Sequence, residues 1–214
     1  MSRHSFDAYA LKYDTWYDTE PGRTLFAMEV DCLRPFIDGD RPWLEVGLGS
    51  GRFARALGIE YGVDPSRPLL EIAKSRGIQV VQGVGEELPL RSGVFASVLM
   101  ALALCFVKDP ERVLREAGRV LSPGRRLALG IILKESPWAD YYARLGREGH
   151  RIYRNARFYS RAEVETMLGR AGFGDLTYRS ALTQPPGLTR YPPESPVDGY
   201  RQDAGFTAIK ALKQ

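Results

Sequence analysis

One stretch constrains this chain more than any other: Leu44-Glu45-Val46-Gly47-Leu48-Gly49-Ser50-Gly51-Arg52-Phe53. The apolar residues from Trp43 onward read as a buried strand, and Arg52 to Leu57 reads as the start of a helix. Three glycines in five residues lie between them. A strand that turns into a helix in so few residues needs positive φ or a missing Cβ at the turn, and glycine supplies both. Bare backbone also lets a ligand come close, and a helix N-terminus offers unpaired N–H groups and partial positive charge. Such a turn suits a nucleotide-like ligand on an α/β sheet.

Spacing narrows the choice of ligand. A dinucleotide fold needs G-x-G-x-x-G, whose third glycine closes helix against strand. Here Gly51 comes one residue early, and Arg52 holds the place that glycine would need. Glu45 stands two residues before Gly47, where a carboxylate suits a ligand with an ammonium group better than a pyrophosphate. The pattern Glu45-x-Gly47-x-Gly49-x-Gly51 resembles the first motif of the class I S-adenosylmethionine-dependent methyltransferases, of the methyltransferase-type-11 kind.

The following residues extend the resemblance. Ile59 to Val63 reads as a second strand ending in Asp64-Pro65-Ser66. An acid there lies beside the glycine loop at the carboxyl edge of the sheet, where open α/β sheets bind ligands. It can accept both hydroxyls of a ribose. Ile78 to Gln82 reads as strand three and runs into Gly83-Val84-Gly85-Glu86. This segment resembles the family's adenine-reading turn, but Val84 stands where the family usually has an aspartate, leaving backbone groups and Glu86 for that contact. Val94 to Met100 reads as strand four. Asp109 and Pro110 start a helix as cap and first residue. The run from Asp109 to Gly124 is very similar to the family's sequence, and the resemblance covers residues 43–133.

The resemblance implies a doubly wound, mostly parallel seven-stranded sheet of order 3-2-1-4-5-7-6 with strand seven antiparallel, a Rossmann-like methyltransferase fold. It implies S-adenosylmethionine as cofactor, met by Glu45, Gly47, Gly49, Ser50, Gly51, Asp64, Pro65, Ser66, Gly83, Val84, Gly85, Glu86 and Ala101. It also implies an N-terminal cap from which Tyr13 and Trp16 reach the methionine part. A single domain spans 1–214: a helical cap (1–40), a cofactor-binding core (41–133), a cap insertion (134–160) and a C-terminal helix with a strand pair (161–214), those strands expected at 176–183 and 204–212.

The acceptor side is less defined. No His, Asp or Glu occurs in residues 97–107, beside the expected methyl group, so no catalytic acid, base or metal ligand is assigned. An acceptor that arrives nucleophilic fits: an amine, a thiol or a phenol. Tyr9 and Tyr17 in the cap face Tyr141, Tyr142, Tyr153 and Arg157 in the insertion as candidate acceptor residues, and the arginine fork would suit an anionic molecule. Arginines at 144, 147, 151, 154, 157 and 161 would form one basic face on a continuous helix, which Gly146 and Gly149 oppose. They leave nucleic acid as a less favoured acceptor. Residues 184–203, with five prolines, are either an ordered lid or disordered.

A net charge of +4 does not demand a nucleic-acid partner. Two cysteines in no metal-like spacing, no apolar run long enough for a bilayer and no leader sequence point to a cytoplasmic protein with no membrane partner. Two other readings stay open: a protein that binds S-adenosylmethionine without catalysis, and a nicotinamide-dependent oxidoreductase.

Overall fold

The computed structural model describes residues 14–37 and 39–214. Eight strands form one sheet: β1 (Trp43–Val46), β2 (Tyr61–Asp64), β3 (Gln79–Gln82), β4 (Phe95–Ala101), β5 (Leu121–Ile131), β6 (Phe173–Ala181), β7 (Val197–Asp198) and β8 (Phe206–Lys213). The order is β3-β2-β1-β4-β5-β8-β6-β7. Strands β1 to β5 pair in parallel, and β8 runs antiparallel between β5 and β6. This is the expected order with one addition: β7, a two-residue edge strand on β6. It falls within 184–203, where no strand was expected. β5 also begins earlier than expected, because Leu121 passes straight from helix into pairing with Phe95.

Six helices of more than one turn cover the described sheet: α1 (Gly22–Leu33), α2 (Arg52–Leu57), α3 (Arg67–Ser75), α4 (Pro110–Val120), α5 (Pro137–Arg147) and α6 (Arg161–Arg170). Local chemistry sets where they begin. Asp109 accepts a hydrogen bond from the Arg112 N–H at the start of α4, with Pro110 in the first turn. Ser160 and Glu163 form a reciprocal capping box on α6.

Alternation along the strands sorts the core into two layers. Trp43, Leu99 and Ala128 turn to the face covered by α1, α2 and α3. Their neighbours Leu44, Val98 and Leu127 turn to the face covered by α4 and α6. A Leu as fully buried as Leu99 or Leu114 contributes about 2–3 kcal/mol relative to exposure. The strand order reverses between β1 and β4, so the loops leaving their carboxyl ends diverge and leave a crevice.

The arginine-rich segment does not form the continuous basic face. α5 ends at Arg147, Gly149 takes a φ of 93°, and only a short 3-10 turn at Tyr153–Asn155 follows. No helix among the described residues is long and apolar enough to cross a membrane.

Candidate active site

Two cavities meet at the carboxyl edge. The first, of about 550 Å³, lies over the ends of β1, β2 and β4. The structure brings Gly47, Gly49, Asp64, Pro65, Ser66, Gly83, Val84, Gly85, Glu86 and Ala101 together in its lining. The glycines divide the work. A Cβ on Gly47 would stand 2.4 Å from the Cβ of Ala103, and one on Gly51 would stand 2.4 Å from Ile78. Those two glycines permit close packing. Gly49, at φ +54°, has nothing within 4 Å of a built Cβ, so its bare face opens on the cavity.

Loop hydrogen bonds are spent internally. The N–H groups of Gly47 and Leu48 donate to the Val63 carbonyl, and that of Gly51 to Leu48. Gly49 N–H donates to Asp64 Oδ2 at 2.8 Å, and Ser66 N–H to Asp64 Oδ1 at 2.9 Å. A loop so engaged is a poor pyrophosphate cradle, which argues against a dinucleotide. The Asp64 carboxylate is held at the cavity wall by these two backbone donors. Glu86 is also engaged: its Oε1 accepts from Lys108 N–H at 2.8 Å and ties the turn after β3 to the start of α4.

Three expected contacts lie beneath the loop instead of on the cavity. Glu45 is 1% exposed, and its Oε2 has no hydrogen-bond partner. Burial holds its carboxyl well above the usual carboxylate range. It is buried under the turn and does not line the cleft. Gly51 packs on Ile78. Ser50 Oγ donates to Asp14 Oδ1 at 2.6 Å.

That bond belongs to a clamp. Asp14 also accepts from Arg52 Nε at 2.8 Å and from both terminal nitrogens of Arg76 at 2.8 and 2.9 Å. Arg52 reaches on to Asp18. Burial raises the Asp14 carboxyl pKa, but the bonds from Arg76, Arg52 and Ser50 outweigh it and hold the group well below the ordinary range. The residue at the third-glycine place thus pins the cap segment to the glycine loop.

The second cavity, of about 590 Å³, has aromatic walls. Tyr17, Tyr141, Tyr142 and Tyr153 line it, as expected for the acceptor side. Trp16, expected at the cofactor, stands on this cavity and not on the first. Tyr142 stacks on Tyr153 at 4.3 Å between ring centres, and Trp138 lies 5.5 Å from Tyr191. Arg157 is not in the lining. Its guanidinium sits over the Tyr159 ring at 4.9 Å, and its N–H donates to the Cys105 carbonyl. Arg157 is thus an exposed, ring-stacked arginine outside the cavity lining. Tyr9 and Tyr13 lie outside the described residues.

Sequence reasoning missed several lining residues. Gly187, Leu188 and Tyr191 come from the proline-rich loop, which packs back through a bond from Trp138 Nε1–H to the Gln184 carbonyl. Glu29 comes from α1. Its signal was present: Leu25, Met28 and Cys32 form the buried stripe of that helix, and Glu29 sits within it.

Leu102 and Phe106 line both cavities, so the two adjoin at the segment after β4. Leu102 there takes a φ of 53°, uncommon for a residue with a Cβ, held by its N–H bond to the Gly130 carbonyl at 2.8 Å. Burial pushes the Cys105 thiol up to about 12, which disfavours its thiolate form.

Comparisons with known proteins agree with this geometry. Residues 44–129 match the family model described as a methyltransferase domain. The structure is similar to a crystal structure from Thermotoga maritima described as a SAM-dependent methyltransferase, possible histamine N-methyltransferase. That match has a TM-score of 0.88 and 33% identity, and covers 99% of each chain. An uncharacterised protein of Mycobacterium tuberculosis is 47% identical over 96% of this chain and 72% of its own length. Another, from Methanocaldococcus jannaschii, is 33% identical over 97% of this chain and 98% of its own.

Proposed function

The chain belongs to the class I S-adenosylmethionine-dependent methyltransferases, and from that premise we propose that the glycine-loop cleft holds the donor and the aromatic cavity holds a small organic acceptor. The observation that carries the reading is the open space over Gly49 beside the Asp64 carboxylate, in a cleft that adjoins a second cavity at Leu102 and Phe106. Asp64 would accept the ribose hydroxyls. Gly83 to Glu86 would flank the adenine, with Val84 giving apolar contact and backbone groups the polar ones. Pro65 and Ser66 border the same end. Ala101 and Leu102 would face the donor's reactive end.

Bound there, S-adenosylmethionine supplies a methyl group on a positively charged sulfur, an electrophile that needs no acid to activate it. The chain's residues position two molecules and exclude water. Leu102 and Phe106 suit this, being apolar where the cavities adjoin. A nitrogen acceptor is the subclass named for the Thermotoga maritima neighbour, and an aromatic-walled cavity supports carrying it to this chain. Calorimetric titration tests the donor site. S-adenosylhomocysteine should bind at one site and NAD should not; binding of NAD in place of S-adenosylhomocysteine would overturn the reading.

A further inference from the structure

We propose that the aromatic cavity is a site for a protonated primary or secondary amine, in which the Glu29 carboxylate receives the ammonium group and takes its proton before methyl transfer. The proposal rests on the reading of this chain as a methyltransferase and names the acceptor class.

Glu29 is 8% exposed, lines the cavity and makes no hydrogen bond or ion pair among the described residues. A buried carboxyl without a partner is costly, and a chain that keeps one on the apolar stripe of a helix needs a reason beyond stability. An incoming cation supplies the missing partner. The walls suit the same ligand. Trp138, Tyr142, Tyr153 and Tyr191 present ring faces and edges around the space, and ring faces attract ammonium groups.

Other ionisable side chains also line the cavity. Tyr141 and Tyr142 come from α5, Tyr191 from the proline-rich loop, Tyr17 from the cap and Cys105 from the segment after β4. Burial pushes the Tyr142 and Tyr191 phenols and the Cys105 thiol further from ionising. Cys32, behind Glu29 on α1, is likewise pushed up, to about 12. His150 and Arg151 also border the cavity, and both are exposed, at the rim. Glu29 is therefore the acid on the buried wall: it holds its proton near pH 7 until an ammonium group arrives, and then gives it up to solvent.

Burial also raises the Glu29 carboxyl to about 8. An ordinary carboxylate is about five to six pKa units below an alkylammonium and would strip its proton at large cost; this one is far closer, as a general base should be. The step balances. The proton passes from R–NH₃⁺ to the Glu29 carboxylate. The freed nitrogen lone pair forms the N–C bond as the C–S bond breaks, with that bond's electrons staying on sulfur. The product leaves as the methylammonium ion, and the Glu29 proton goes to solvent.

The test uses three size-matched probes: 2-phenylethylamine, 2-phenylethanol and 3-phenylpropanoate. Each is titrated into the full chain saturated with S-adenosylhomocysteine, in two buffers of different ionisation enthalpy. The amine should bind at least about tenfold more tightly than the other two and release about one proton per molecule near pH 7. Glu29→Gln should lose both the preference and the proton release while its affinity for S-adenosylhomocysteine is unchanged, which also shows that it folds. Equal affinity for amine and alcohol in the unaltered protein, tighter binding of the propanoate, or an unchanged preference in Glu29→Gln would each overturn the proposal. Failure of S-adenosylhomocysteine to bind the unaltered protein would instead overturn the donor-site reading.

Discussion

The two cavities adjoin at Leu102 and Phe106, yet they are built on different principles. The first is made of backbone. Its essential features are a bare Gly49, loop N–H groups turned inward, and one carboxylate fixed by two of them. The second is made of side chains from α1, α5, the 3-10 turn after it, and the loop before β7. A backbone-built site tolerates little change because each position fixes a φ angle or a missing atom. A side-chain-built site can change its ligand by changing single residues, so a family can keep one donor and vary the acceptor.

The largest test of that contrast is Gly49→Val. A Cβ at this position has no protein atom within 4 Å, so the fold should survive with some strain from the positive φ while the branched side chain intrudes on the cleft. S-adenosylhomocysteine binding should fall more than about 100-fold by calorimetry, equivalent to over about 2.7 kcal/mol. Retained binding would remove the loop from the site.

Asp64→Ala should come next, weakening the same ligand by about 10- to 100-fold, since hydrogen bonds to a charged group contribute about 1.5–3 kcal/mol. Circular dichroism should confirm an intact fold.

The join between the regions is the Asp14 clamp, which ties the segment carrying Trp16 and Tyr17 to Ser50 of the loop. Asp14→Asn should destabilise the protein by about 2 kcal/mol, less than a fully buried pair because Arg52 and Arg76 keep some contact with water. The folded-state pKa of Asp14 lies below its unfolded value, so its contribution is present above pH ~4 and fades as pH falls. The difference between the two proteins' melting midpoints should therefore shrink on acidification.

Glu29 should show the opposite sign. Its folded pKa of about 8 lies above the unfolded value, so the folded state holds a proton that the unfolded state loses. Stability referable to Glu29 is complete below pH ~4.5 and falls as pH rises toward 8. Glu29→Gln should therefore gain about 1–2 kcal/mol over the unaltered protein between pH 5 and pH 8, a few degrees in a thermal scan. An equal midpoint difference at both pH values would place the carboxyl in water.

The same contrast explains what could be read from the sequence. The order of strands, the cleft residues from Gly47 to Ala101, and the caps of α4 and α6 depend on residue types at fixed short spacings, and those are visible in one dimension. Glu45, Ser50 and Gly51 share the motif's spacing, but Glu45 is buried, Ser50 donates to Asp14 and Gly51 packs against Ile78, partners that spacing alone does not reveal. The tyrosines of the second cavity were visible as a cluster. Glu29 was visible only as a charge on a buried helical stripe, and Tyr191 was hidden in a proline-rich stretch whose path depends on its packing against Trp138. Arg157 was singled out by its place in the insertion, and its position over the Tyr159 ring depends on packing that no local spacing reveals. Side chains brought together from distant elements leave no spacing to read.

The central claim is that the two cavities hold two different molecules. The most direct measurement is S-adenosylhomocysteine affinity, by calorimetry, for the unaltered protein, Asp64→Ala and Glu29→Gln. The account predicts a loss of about 10- to 100-fold for Asp64→Ala and none for Glu29→Gln. Equal affinity in Asp64→Ala and the unaltered protein, or a comparable loss in Glu29→Gln, would contradict it.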